Sequence, residues 1–334
     1  MKVTMRDVAR EAGVAVSTVS LVVNNREGVS DELRAKVLKA VEKLGYRPNR
    51  IARSLKTDKS HVLGLIIPDI TNPFFPLLVR GVTDTASTYG YSILLANSDG
   101  KVEEERKYLN VFADTKVDGI IFTTSVKFKD NLQLLQELPI PKVVLDRYLG
   151  PFNIPTVTAD NITGGYLAVK HLLECGSRRI LIISGPQGYP SSMDRLTGYK
   201  RALDEHGIAV DPDLIEYGDF TLAGGQKAIS AVLDRGLDFD GVFAANDLMA
   251  LGVLVELAAR EIPVPEKVQV VGYDDIPSAN LFQPALTTIR QPAYEIGHEA
   301  VRTLIRAIHH RDRTPPAKIL VPELIVRKST RAAE

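Results

Sequence analysis

Residues 4–25 read TMRDVAREAGVAVSTVSLVVNN, and their spacing predicts two short helices around a glycine turn. Thr4 suits an N-cap, and Asp7 falls at the third helical position, where a carboxylate favours the positive end of the helix. Val8, Ala9 and Ala12 give that helix an apolar face, and Gly13 breaks it. A second helix is expected from about Val16 to Val23, with Val19, Val22 and Val23 turned inward. Asn24 and Asn25 then make a turn. Ser30 caps a third helix with Glu32 and Leu33 in its first turn. Leu33, Val37, Val41 and Leu44 line one side of it, and Gly45 ends it. Helix, turn, helix is the arrangement whose second helix enters the major groove of DNA with its early residues against base edges. There Ser17 can donate or accept, whereas Val16 and Leu21 offer only apolar contacts, for example to a thymine methyl. Thr18 and Ser20 suit phosphate contacts or closure of the helix pair. Thr4 and Asn24 complete the candidate contacts within these helices.

The charge distribution supports a polyanion partner for this end of the chain. The 334 residues have no net charge, yet residues 1–60 hold 13 Lys and Arg against 7 Asp and Glu. A basic head on an acidic remainder fits a partner such as DNA that engages the head alone. Composition is that of an ordinary globular protein, 45% hydrophobic and 25% charged. The N-terminus has no apolar signal-peptide core, and no apolar run is long enough to span a bilayer, so a cytoplasmic protein with no membrane contact is expected. The single cysteine, Cys175, cannot form an internal disulfide; it falls in an apparent helix and reads as a packing residue.

Beyond the head, residues 46–60 (YRPNRIARSLKTDKS) are basic and read either as a plain linker or as a helix from Pro48 that forms only when something holds it. From His61 onward the pattern becomes α/β. Apolar runs at 62–68, 91–96, 119–123 and 142–146 read as buried parallel strands separated by amphipathic helices, and a second series follows at 179–185, 241–247 and 268–275. Two doubly wound lobes are predicted, with polar residues after the strand ends, where open α/β sheets bind ligands.

The segment at 4–25, followed by VSDELRAKVLKAVEKLGYRPNRIARSLKT at 29–57, resembles the head of the lactose/galactose repressor family, and the resemblance extends over the whole chain. It implies an all-α helix-turn-helix head (1–47), a hinge helix (48–60) that orders on DNA, and a two-lobed body of periplasmic-binding-protein type (61–334). The first lobe is expected over about 61–159 and 291–320, the second over about 160–290 and 321–330. The resemblance implies that Leu55 wedges into the minor groove at the operator centre, with Ala52 packed beside it, and adds Asn49 as a DNA contact. Many members carry Arg where this chain has Leu21, so its operator half-site is expected to differ.

Polar and aromatic motifs follow the strands of the body: PDITNPFF (68–75), LDR (145–147), SSMDRLTGY (191–199), GDF (218–220), AAND (244–247), VVGYDD (270–275) and TIRQP (288–292). Aromatic faces suit the apolar faces of a sugar ring, while charged and amide groups suit its hydroxyls. Arg195 is expected in the first turn of its helix. Asn246 or Asp247 could equally cap a helix, and Asp274 could serve a turn. The resemblance to ribose-binding proteins and ribose repressors assigns the ligand site to Asn72, Phe74, Phe75, Asp146, Arg147, Arg195, Phe220, Asn246, Asp274 and Gln291. Nucleobase-responsive members carry Arg and Thr in the loop where this chain has Tyr189 and Ser191. Phosphoprotein-responsive members lack the Asp146–Arg147 pair. These departures favour a ribose-like monosaccharide, with a nucleobase or phosphoprotein effector as the alternative.

No glycine-rich dinucleotide loop, P-loop, nucleophile elbow or Cys/His metal cluster is present in the sequence, so no catalysis, cofactor or metal is expected. A periplasmic sugar receptor would share the body but not residues 1–59. The resulting expectation is a homodimeric repressor binding double-stranded operator DNA, whose two lobes close on a sugar about crossovers near 160, 290 and 320. Whether the sugar weakens or strengthens DNA binding stays open.

Overall fold

The computed structural model describes residues 3–24, 26–46, 59–123, 129–145, 154–309 and 316–332. The chain divides into two compact units, residues 1–60 and 61–334. In the first, α1 (Met5–Ala12), α2 (Val16–Val23) and α3 (Asp31–Leu44) pack on one another. Thr4 and Asp7 form a reciprocal capping box at the start of α1. Gly13 and Gly45 end α1 and α3 in the left-handed conformation that glycine adopts without a Cβ clash. Val8, Val19, Val22, Val37, Ala40 and Tyr46 fill the small core. Leu33 differs from the expected pattern: it is exposed, and Ala40 takes the buried place beside Val37.

The second unit alternates strands and helices. Its first half runs β1 (Val62–Ile67), α4 (Phe74–Thr88), β2 (Ser92–Asn97), α5 (Val102–Asp114), β3 (Gly119–Thr123), α6 (Lys129–Glu137), β4 (Lys142–Leu145) and β5 (Thr156–Ala159). It continues with α7 (Asn161–Glu174), β6 (Ile180–Ser184), α8 (Pro190–Glu205), β7 (Ile215–Tyr217), α9 (Leu222–Asp234), β8 (Gly241–Ala244), α10 (Asp247–Ala259), β9 (Gln269–Asp274) and β10 (Thr287–Arg290). Helix α11 (Ala293–His309) and the short strands β11 (Lys318–Leu320) and β12 (Glu323–Ile325) complete it.

These strands form two six-stranded sheets, ordered β11-β5-β4-β3-β1-β2 and β12-β10-β9-β8-β6-β7. Every pairing is parallel except β10 with β12. The chain passes between the sheets three times, after Ala159, after Arg290 and after Leu320. Central strands such as β3 and β6 are buried along their whole length, as apolar runs covered on both faces must be. β2 departs from the expected burial: it is an edge strand, and Leu95 is exposed.

Helix α11 returns to the first lobe and crosses α4 at two glycines. A Cβ on Gly81 would lie 2.1 Å from the Tyr294 carbonyl oxygen, and one on Gly297 would lie 2.2 Å from that of Leu78. Backbone meets backbone there, which fixes the helix that leads out of one crossover. At the far end of the second lobe, Cys175 is the buried C-cap of α7, where burial pushes its thiol pKa up.

Candidate functional site

In the head, helical geometry puts Ser17, Leu21 and Asn24 on one face of α2, opposite buried Val19 and Val22. Val16 is 43% exposed beside them, and Thr18, Ser20 and Leu21 are half-buried. The Asn24 amide donates to the Ser20 carbonyl at 2.7 Å and so closes the C-terminus of α2. The Thr4 backbone N–H and hydroxyl donate to the Asp7 carboxylate at 2.9 and 2.7 Å. These bonds hold the Asp7 pKa below its ordinary value. Both groups are therefore committed to starting α1. Asn49, Ala52 and Leu55 lie outside the described residues.

In the body, a cleft of about 480 Å³ opens between the C-terminal ends of the two sheets. Eight of the expected ligand residues line it: Asn72, Phe74, Phe75, Arg195, Phe220, Asn246, Asp274 and Gln291. Asp146 and Arg147 lie outside the described residues. The first lobe contributes the Phe74–Phe75 pair, set edge to face at 5.1 Å and 80°. Asn72 accepts the Phe74 N–H at 3.1 Å, which fixes the entry to α4.

The second lobe holds its aromatic differently. Phe220 has φ 67. Its carbonyl accepts from the Asn246 amide at 2.9 Å, while the Asn246 side-chain oxygen caps α10 by accepting the Met249 N–H. Asn246 thus lines the cleft and serves as the cap that its position in sequence also suggested. Arg195 stands in the second turn of α8 rather than the first. Its guanidinium is buried, donates from Nε to the Asn161 side-chain oxygen at 2.9 Å and from Nη1 to the Ala245 carbonyl, and stacks over the Tyr273 ring. Among the described residues, no carboxylate forms an ion pair with it.

Two polar atoms at the cleft are buried with no hydrogen-bond partner among the described residues, the Gln291 side-chain oxygen and the Thr123 hydroxyl. Gln291 spends its amide N–H on Asp274, at 2.7 Å. Buried polar atoms left unpaired are costly, so a hydroxyl-rich ligand fits this lining. Behind Asp274, Asp247 is fully buried, and burial followed by the neighbouring Asp274 charge raises its pKa well above the ordinary value. It accepts from Thr288 and from the Ile276 amide, which makes it a supporting group rather than a ligand contact.

Sequence reasoning missed Thr123, Asp69, Asp99 and Asp219 in this lining. Asp69 and Asp219 each accept both the N–H and the hydroxyl of the threonine two residues on. The repeated Asp-x-Thr after a strand of each lobe was the readable signal. Among the described residues there is no cluster able to hold a metal ion, and no helix is long and apolar enough to cross a membrane.

A helix-turn-helix unit and a two-lobed body with a polar, aromatic-lined cleft, on one chain, define a ligand-responsive DNA-binding regulator. The chain belongs to the LacI family of bacterial regulatory proteins: that family's DNA-binding model matches residues 4–49, and the model for periplasmic binding proteins and the sugar-binding domain of the LacI family matches 60–330. It is a transcription regulator and not an enzyme. A ribose operon repressor of Halalkalibacterium halodurans is 41% identical over 332 residues, 99% of this chain and 98% of that protein. The lac repressor dimer bound to operator and an anti-inducer superposes with a TM-score of 0.91 at 27% identity, over 99% of this chain and 100% of that one. A LacI family regulator from Enterococcus faecium with bound ribose gives a TM-score of 0.71 at 32% identity, over 80% and 98%.

Proposed function

We propose that this regulator is a cytoplasmic homodimeric repressor whose operator affinity is set by a small monosaccharide, ribose or a close relative, held between the lobes of residues 61–334. The observation that carries this reading is the cleft lining: aromatic rings from both lobes, a buried guanidinium, and two unpartnered oxygens at Gln291 and Thr123. The ribose names borne by one relative and one solved structure agree with it. Asp146 and Arg147, which follow β4 in the sequence, belong to the proposed contacts. So do Asn72, Phe74, Phe75, Arg195, Phe220, Asn246, Asp274 and Gln291.

In the proposed mechanism, α2 presents Val16, Ser17 and Leu21 to base edges, with Thr18, Ser20, Thr4 and Asn24 around them. Asn49, Ala52 and Leu55 act in the hinge. Sugar binding draws the lobes together about the three crossovers and changes the hinge helices' hold on the operator. Such a shift requires different sugar affinity in the DNA-bound and free states.

A thermal-shift screen against pentoses, hexoses, nucleobases and sugar phosphates tests the effector. A ligand at 100 times its Kd stabilises the fold by ~2.7 kcal/mol. A shift with ribose alone names the signal, and a shift with another monosaccharide keeps the mechanism and corrects the ligand. A shift only with a nucleobase overturns the sugar assignment.

A further inference from the structure

One tyrosine side chain of the cleft lining reaches from the second lobe to a glycine of the first. Tyr189 precedes α8 in the second lobe, is half-buried, and lines the cleft. Its ring stands edge-on to Phe220, with centroids 5.9 Å apart at 89°. Its hydroxyl reaches the first lobe, where a Cβ on Gly100 would lie 3.1 Å from the phenol oxygen. Gly100 follows β2 with φ 64 and lines the same cleft.

Both supports are fixed. On the first lobe, the Asn97 side-chain oxygen accepts the Ile70 N–H at 2.7 Å and its amide donates to Asp99 at 2.6 Å, tying the Gly100 turn to the loop before α4. On the second, Pro190 begins α8, and the Tyr189 carbonyl accepts the Met193 N–H at 3.0 Å. A side chain that packs edge-on against Phe220 and brings its hydroxyl to Gly100 bridges the two lobes beside a ligand seated between them. A ligand extended by a second sugar ring past that side chain would have to displace it.

We infer that Tyr189, seated on Gly100 and Phe220, is a specificity-determining latch that limits the effector to a single sugar ring. This rests on the sugar reading of the cleft.

Titration calorimetry of the full chain tests it, with ribose, glucose, maltose and cellobiose as probes. Wild type is expected to bind at least one monosaccharide and neither disaccharide. Tyr189→Ala weakens that monosaccharide by about tenfold, the scale of losing one apolar pocket contact, and gains disaccharide binding. Tyr189→Phe keeps the ring on Phe220 but removes the hydroxyl set against Gly100, and moves the discrimination part of the way toward that of Tyr189→Ala. Gly100→Ala, whose methyl group crowds the Tyr189 hydroxyl, moves the monosaccharide-to-disaccharide ratio in the same direction as Tyr189→Ala and by less. An unchanged ratio in a Tyr189→Ala protein of wild-type melting temperature overturns the latch and leaves the sugar reading standing. Wild type that binds disaccharides as well as monosaccharides also overturns the latch alone. Wild type that binds none of the sugars overturns both.

Discussion

The Arg195 guanidinium lies 3.7 Å above the Tyr273 ring, and both side chains share one acceptor, the side-chain oxygen of Asn161. Asn161 is the first residue of α7, just past the crossover after Ala159. The cation is thus oriented from an element that leads directly out of an interlobe crossing, and with Nε on Asn161 and Nη1 on the Ala245 carbonyl, the remaining donors of its planar fork are left for the cleft. Arg195→Ala is expected to weaken the effector by about 100-fold, near 3 kcal/mol for charge-assisted bonds to a buried group. Arg195→Lys should recover only part, because an ammonium lacks the fork. Calorimetry with the effector found in the thermal screen checks this, and wild-type affinity in Arg195→Ala would show the cleft assignment to be wrong.

Gly185 leaves room for Phe220. A Cβ there would stand 2.1 Å from the Phe220 ring and 2.4 Å from the Ser192 hydroxyl. Gly185→Ala should push the ring toward the cleft and weaken the effector more than tenfold, consistent with an overpacking cost of about 1–3 kcal/mol. Effector Kd and melting temperature measured on the same sample check it. A fall in melting temperature with unchanged Kd would place the strain elsewhere.

The parts of the fold legible in sequence were those with strong local physics. Thr4, Asp7, Gly13, Ser30 and Gly45 mark helix ends by capping chemistry, and the long apolar runs of β1, β3 and β6 have only one use in an α/β chain. The strands β5, β7, β10, β11 and β12 are three or four residues long. Segments so short, some mixing Thr, Glu or Lys with apolar residues, carry no period of their own, and their pairing is set by the sheets they join. Leu33 shows the same limit, since a helix of 14 residues offers several apolar stripes and the neighbouring helices choose among them. The unpartnered hydroxyl of Thr123 is a property of three dimensions, because its sequence reads only as a strand end.

Asp247 gives a pH dependence of stability. Its folded pKa is raised well above 3.8, first by burial and then by the Asp274 charge. The folded protein therefore retains a proton that the unfolded chain releases, so this group's contribution is complete below pH 3.8 and is lost as pH rises toward the folded value. Asp247→Asn keeps an acceptor for the Ile276 N–H and a donor for Thr288, and should flatten that dependence at a cost within about 1 kcal/mol. Asp247→Ala strands both partners and should cost about 1–3 kcal/mol. Denaturant midpoints across pH 4–8 separate the three proteins.

The capping box of α1 is made by Thr4 and Asp7 alone, from within the helix's own first turn. Thr4→Ala removes the hydroxyl that accepts the Asp7 N–H and donates to the Asp7 carboxylate. The expected loss is about 1 kcal/mol of head stability. Circular dichroism through urea unfolding should show the head transition shifted and the body transition unmoved. Thr4→Ser should restore most of it.

Leu21 tests the DNA-facing side. It shares a face of α2 with Ser17 and Asn24, pointing away from the head's core. An apolar side chain there can favour a thymine methyl but cannot form the paired hydrogen bonds that read guanine. Leu21→Arg should therefore redirect the half-site toward guanine at one base pair, by about 1–3 kcal/mol of discrimination, while adding a positive charge that steepens the salt dependence of binding. Selection of preferred operators from a randomised duplex pool, run for both proteins, reads this directly. A change confined to one position per half-site places Leu21 against a base edge. Uniformly tighter binding without altered preference would place residue 21 against phosphate, leaving base readout to Val16 and Ser17.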